Sequence, residues 1–114
     1  MEFGSRHRRS SRLPKQIPIV LRWQPPGRDV EDDPARTLLL SKHGCSLTCG
    51  VQLKIGGQLY VLDPARGKSA RARVVYRQLS GPGAEARLAV EFLGTDDFWG
   101  LEFPPHSHLA VASA

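Results

Sequence analysis

Ser69-Ala70-Arg71-Ala72-Arg73-Val74-Val75-Tyr76-Arg77-Gln78 decides the fold, because small or apolar residues alternate with arginines at a period of two. Side chains of an extended chain point to opposite faces in turn, whereas a helix would spread this pattern around its circumference. Ala70, Ala72, Val74 and Tyr76 therefore share one face of a strand, and Arg71, Arg73, Val75 and Arg77 share the other. Towards the C-terminus, Ser80-Gly81-Pro82-Gly83 is a tight turn, and Glu85 to Leu93 repeats the alternation with Ala86, Leu88, Val90 and Phe92 inward.

Towards the N-terminus the same grammar continues. Gln58 to Leu62 reads as a strand between the turns Ile55-Gly56-Gly57 and Asp63-Pro64-Ala65-Arg66-Gly67. Cys45 to Val51 and Arg36 to Ser41 read as two more, joined by Lys42-His43-Gly44. Pro25 to Ala35 has the composition of a loop. Gln16 to Gln24 is β-rich, with Ile17, Ile19, Leu21 and Trp23 on one face and Pro18 marking an edge or a strand start. Asp96 to Phe103 is short and aromatic. No stretch carries a helical period.

About six short strands separated by Gly- and Pro-rich turns predict an all-β fold, a small six-stranded antiparallel β-barrel. A closed barrel also removes the exposed edges that a small open sheet would have to protect. The 114 residues suffice for one domain. Residues 1–14 are expected to be a flexible basic N-terminal arm, 15–105 the barrel, and 106–114 a disordered tail. Met1-Glu2-Phe3-Gly4-Ser5 matches what two common restriction sites encode and is set aside as a cloning remnant.

Charge is distributed unevenly. The net charge is +5, and Arg6, Arg8, Arg9, Arg12, Lys15, Arg22 and Arg28 precede the first acidic cluster, Glu31-Asp32-Asp33. A basic arm on a near-neutral body points to a polyanionic partner, with a solvated arm as the plainer alternative. No apolar run is long enough to span a bilayer, and the N-terminus lacks an apolar signal core, so no membrane span and a cytoplasmic location are expected. Cys45 and Cys49, four apart on a strand, fall on one face. Their spacing suits two small buried residues better than a zinc knuckle or a redox pair.

Two short motifs flank the first strand: Arg8-Arg9-Ser10-Ser11-Arg12 before it, and Leu39-Leu40-Ser41-Lys42-His43-Gly44 after the second. This arrangement, an Arg-x-x-x-Arg pair followed by a Ser-x-x-Gly turn, resembles the PilZ domain family across Arg6 to Phe103. The ending Asp97-Phe98-Trp99-Gly100-Leu101-Glu102-Phe103-Pro104-Pro105 is similar to that of some stand-alone members. The resemblance implies a six-stranded barrel that binds cyclic di-GMP, a bacterial second messenger, as a ligand and without a cofactor. It also implies a protein effector downstream.

Carried over residue by residue, the resemblance assigns Arg8 and Arg12 to the ligand's phosphates and guanines, with Ser41 and Gly44 as the motif serine and glycine. Arg9 adds charge to the arm, and His43 is a further candidate contact. Arginine suits such a ligand because it combines a permanent charge, a bidentate fork and a flat stacking surface. Gly44 is expected to allow a positive φ and close approach of the ligand. Leu39 stands where the family has Asp or Asn, and cannot hydrogen-bond a guanine edge; Thr37 is the nearest polar substitute.

Other classes are less well served by the sequence. Ser41 and His43 lack an orienting third group, no phosphate-binding loop leads into a helix, and no enzymatic role is expected. His106 and His108 have no companion metal ligands. Trp99 is a core or lid aromatic or a stacking platform. A nucleic-acid-binding barrel needs aromatics interleaved with basic residues on one face, and Ser69 to Gln78 sets Tyr76 opposite its arginines, which weighs against it. The principal alternative is a degenerate PilZ domain acting as a nucleotide-independent protein-interaction module.

Overall fold

The computed structural model of the chain describes residues 12–79, 85–95, 97–101 and 103. The strands are β1 (Leu13–Pro14), β2 (Pro18–Trp23), β3 (Glu31–Ser41), β4 (Gly44–Cys49), β5 (Gln58–Asp63), β6 (Lys68–Leu79) and β7 (Ala86–Phe92). All pairings are antiparallel. The order β3-β2-β5-β6-β7-β4, with β4 returning to β3, closes a six-stranded barrel, and β1 is an extra strand on β3. No helix occurs among the described residues. The six-stranded antiparallel barrel expected from the alternation is therefore present.

The alternating residues build the interior. Ile19 and Leu21, Val61, Ala72 and Val74, Leu88 and Val90, with Leu40 and Leu47, are all buried in one cluster. Burying each leucine or valine contributes about 1.5–3 kcal/mol, so this cluster is the main source of stability. Cys45 and Cys49 join it as free thiols, as their spacing suggests.

Three departures from the sequence expectation have physical causes. The loop expected from Pro25 to Ala35 is shorter, since β3 starts at Glu31. Strand β2 recruits the acidic run: Arg22 forks onto Asp32 with two 2.8 Å hydrogen bonds, and Trp23 donates from Nε1 to Asp33 Oδ2 at 2.7 Å. Pro34 is tolerated because β4 pairing begins only at Ala35, leaving that side of β3 without a ladder. Leu13 and Pro14, assigned to the arm by sequence, pair with Leu40 and Leu39 where β2 no longer covers β3.

The third departure is a pair of bulges. In β3 the register shifts between Thr37 and Leu39, and in β6 between Val74 and Tyr76. One extra residue reverses the facing of everything beyond it. Thr37 and Leu40 both point inward, which turns Leu39 outward. Likewise Val75 and Tyr76 are both exposed, so Tyr76 does not share the inner face with Ala70, Ala72 and Val74.

Thr37 is fully buried, and its hydroxyl is used twice: it donates to the Lys15 carbonyl and accepts from the Ile17 N–H, each at 2.7 Å. This staples the short link from β1 to β2. At the opposite extreme of the chain, Phe98 and Trp99 fold back over the barrel end where β7 stops. Their ring centroids lie 4.9 and 5.8 Å from that of Phe92 and 4.8 Å from each other. Trp99 is thus a core aromatic. Arg66 latches this segment by donating to the Phe98 carbonyl at 2.8 Å and pairing with buried Asp63 at 3.4 Å.

Candidate functional site

The pairing of Leu13 with Leu40 brings two distant parts of the chain together. Leu13 and Leu40 both pack on the interior, so the next residue outward on β1, Arg12, takes the outer face beside Ser41. Ser41 pairs with Gly44, Gly44 with Glu91, and Glu91 with Arg73. A second row crosses the wall as Leu39, Ser46, Ala89 and Tyr76. Small residues in the middle of both rows leave a hollow of about 200 Å³ lined by Arg12, Leu39, Ser41, His43, Gly44, Ser46, Val75, Ala89 and Glu91.

Of the residues named from sequence, Arg12, Ser41, Gly44 and His43 meet around this hollow. Arg8 and Arg9 lie outside the described residues. Leu39 lines the hollow and presents apolar surface to it. Thr37 cannot stand in for the missing carboxylate or amide, because its hydroxyl is buried and spent on Lys15 and Ile17.

Gly44 has a different role from the one expected. Its φ is not positive; among the described residues the glycines in that region are Gly27, Gly56, Gly67, Gly94 and Gly100. What Gly44 provides is close approach between strands. A Cβ there would be driven into the Val90 carbonyl oxygen and would lie 3.0 Å from the Val90 carbonyl carbon. The hairpin is further held by the Phe92 N–H, which donates to the His43 carbonyl at 2.8 Å.

The Gly44 carbonyl accepts from the Ser41 hydroxyl at 3.3 Å and from Trp99 Nε1 at 3.2 Å. The Ser41 bond is long for a hydroxyl donor, so that proton is easily redirected to a ligand. Glu91 lines the hollow, and Arg73 pairs with its carboxylate at 2.9 Å and offsets its charge. Arg12 then supplies the cationic rim. The chemistry on offer is a guanidinium, a hydroxyl and an apolar wall, which suits a flat anionic ligand.

Ser46, Val75, Ala89 and Glu91 were not legible as site residues. The alternation of β7 placed Ala89 and Glu91 outward, but nothing local joins them to Ser41. Beneath the floor, burial pushes the Cys45 thiol up to about 12, which keeps it protonated and inert. No group of three potential metal ligands comes together among the described residues, and no helix among them is long and apolar enough to cross a membrane. Comparison of the chain with models of known protein families and with curated proteins finds no match.

Proposed function

We propose that the chain is a PilZ-type receptor domain that holds cyclic di-GMP on its outer wall, at the hollow between Arg12 and Glu91. The supporting observation is that β1 sets the second arginine of the Arg-x-x-x-Arg motif beside the Ser41–Gly44 turn of the other motif. Arg12 takes a phosphate or the O6/N7 edge of a guanine, the Ser41 hydroxyl contacts the ligand from the turn, and Leu39 offers a flat apolar rest for a base.

The hollow's size bears on how the ligand is held. About 200 Å³ lies below the roughly 300–1,000 Å³ of enclosed small-molecule sites. It accommodates one part of the dinucleotide, and the remainder needs a second wall. Arg8 and Arg9 are three to four residues upstream of Arg12, within roughly 14 Å of extended chain. In this reading they close over the ligand, and their ordering creates a surface for a protein effector. The domain acts in the cytoplasm in bacterial second-messenger signalling and performs no chemical step.

The second reading is a domain that keeps the barrel but binds no nucleotide, acting through protein contacts alone. Leu39 favours it, because it puts an isobutyl group where a base-edge acceptor is wanted. Calorimetric titration with cyclic di-GMP, GTP and linear pGpG separates the two. Selective binding of cyclic di-GMP that falls at least about tenfold in both Arg12→Ala and Arg8→Ala supports the receptor. Absence of binding to all three leaves the interaction module.

A further inference from the structure

A second hollow lies on another part of the wall, across β2, β5 and β6. It measures about 350 Å³, and its lining includes Arg22, Gln58, Tyr60 and Arg71. Its centre is a cross-strand row. Arg22 pairs with Tyr60, and Tyr60 pairs with Arg71, so two arginines flank one tyrosine on the outer face. Neighbouring strands are about 4.8 Å apart, which brings each guanidinium within reach of whatever lies on the ring. Tyr60 is 48% exposed, so much of its ring is open to a ligand.

The two arginines are not equivalent. Arg22 is held by the Asp32 carboxylate through a bidentate fork, and that hydrogen bonding keeps the Asp32 carboxyl below the ordinary range. Arg71 makes no side-chain hydrogen bond or ion pair among the described residues, whereas Arg73 on the same face is paired with Glu91. The hollow therefore has an open ring, a cation beside it that is unpaired among the described residues, and Gln58 in its lining. A stacking surface next to a phosphate-seeking cation, with an amide for a base edge, is the chemistry of a nucleotide unit.

We propose that this hollow is a second ligand site, independent of the first, which takes one nucleotide with its base on Tyr60 and its phosphate on Arg71. The basic character of the chain, with pI near 9.8, favours such a polyanionic visitor. The row was hidden in the sequence because Tyr60 and Arg71 belong to different strands. The nucleotide is either free or part of a single strand, since both present the same base and phosphate.

The full chain is titrated by fluorescence anisotropy with a labelled short oligothymidylate, with unlabelled uridine and guanosine monophosphates as competitors. Binding that weakens about tenfold in Tyr60→Ala and Arg71→Ala, survives in Tyr60→Phe and is unchanged in Arg12→Ala supports the site. A strand that binds while the monophosphates do not compete identifies the strand as the source; competition by a monophosphate at similar concentration identifies the free nucleotide. No binding of either probe, or binding indifferent to Tyr60→Ala, overturns the proposal. Loss in Arg12→Ala also overturns it, by moving the ligand to the first hollow. Circular dichroism of each variant must match the parent, and Arg71→Ala, at an exposed position, keeps the test decisive if Tyr60→Ala is unstable: binding indifferent to it overturns the proposal.

Discussion

Trp99 donates its indole N–H to the main-chain carbonyl of Gly44 at 3.2 Å, across 55 positions of sequence. The bond is buried, and it ties the aromatic segment after β7 to the hairpin that carries Ser41 and His43. The geometry of the proposed nucleotide site therefore depends on a residue that does not line it.

Replacing Trp99 by Phe keeps much of the ring packing with Phe92 and Phe98 but removes this donor. A buried acceptor that loses a partner costs about 1–3 kcal/mol, and here the Ser41 hydroxyl remains to share the carbonyl. Urea denaturation is expected to show a loss of about 1–2 kcal/mol. If the midpoint is unchanged, the indole is only filling space.

Gly44→Ala is expected to be far more damaging. The added methyl meets the Val90 backbone, which cannot rotate away as a side chain would. The cost should reach the upper end of overpacking, about 3 kcal/mol. Gly50→Ala, where a Cβ meets nothing within 4 Å, serves as the neutral control in the same denaturation series.

Leu39 is turned outward by the β3 bulge, is only half-buried and lines the hollow, so Leu39→Asp should be tolerated at a cost of about 1 kcal/mol. If cyclic di-GMP lies there, the new carboxylate can accept from a guanine edge, and affinity should rise about tenfold. Calorimetry that finds weaker binding in this variant would place the guanine elsewhere.

Cys45 makes stability depend on alkaline pH. Burial pushes its folded-state thiol up to about 12, against 9.0 for an accessible thiol. Below pH 9 both states are protonated and the burial contribution is fully present. Above it only the unfolded chain ionises, so stability is lost between pH 9 and about 12, on the order of 1 kcal/mol per pH unit. Cys45→Ala should flatten that decline. Native protein should also resist iodoacetamide at pH 8 and react only when unfolded.

Local alternation determined which strands exist and which face most residues take. Ile19, Leu21, Val61, Ala72, Val74 and Leu88 are buried as their spacing requires, since an extended backbone sends successive side chains to opposite sides whatever surrounds it. The turn glycines Gly56 and Gly67 were equally legible, because the left-handed φ they adopt is strained for residues with a Cβ. Strand order, closure and the bulges at Leu38 and Val75 were decided by the tertiary structure. They depend on hydrogen bonds and packing between segments tens of residues apart, and a one-residue shift reverses the facing of everything beyond it. For that reason the meetings of Arg12 with Ser41 and of Tyr60 with Arg71 exist only once the barrel has closed.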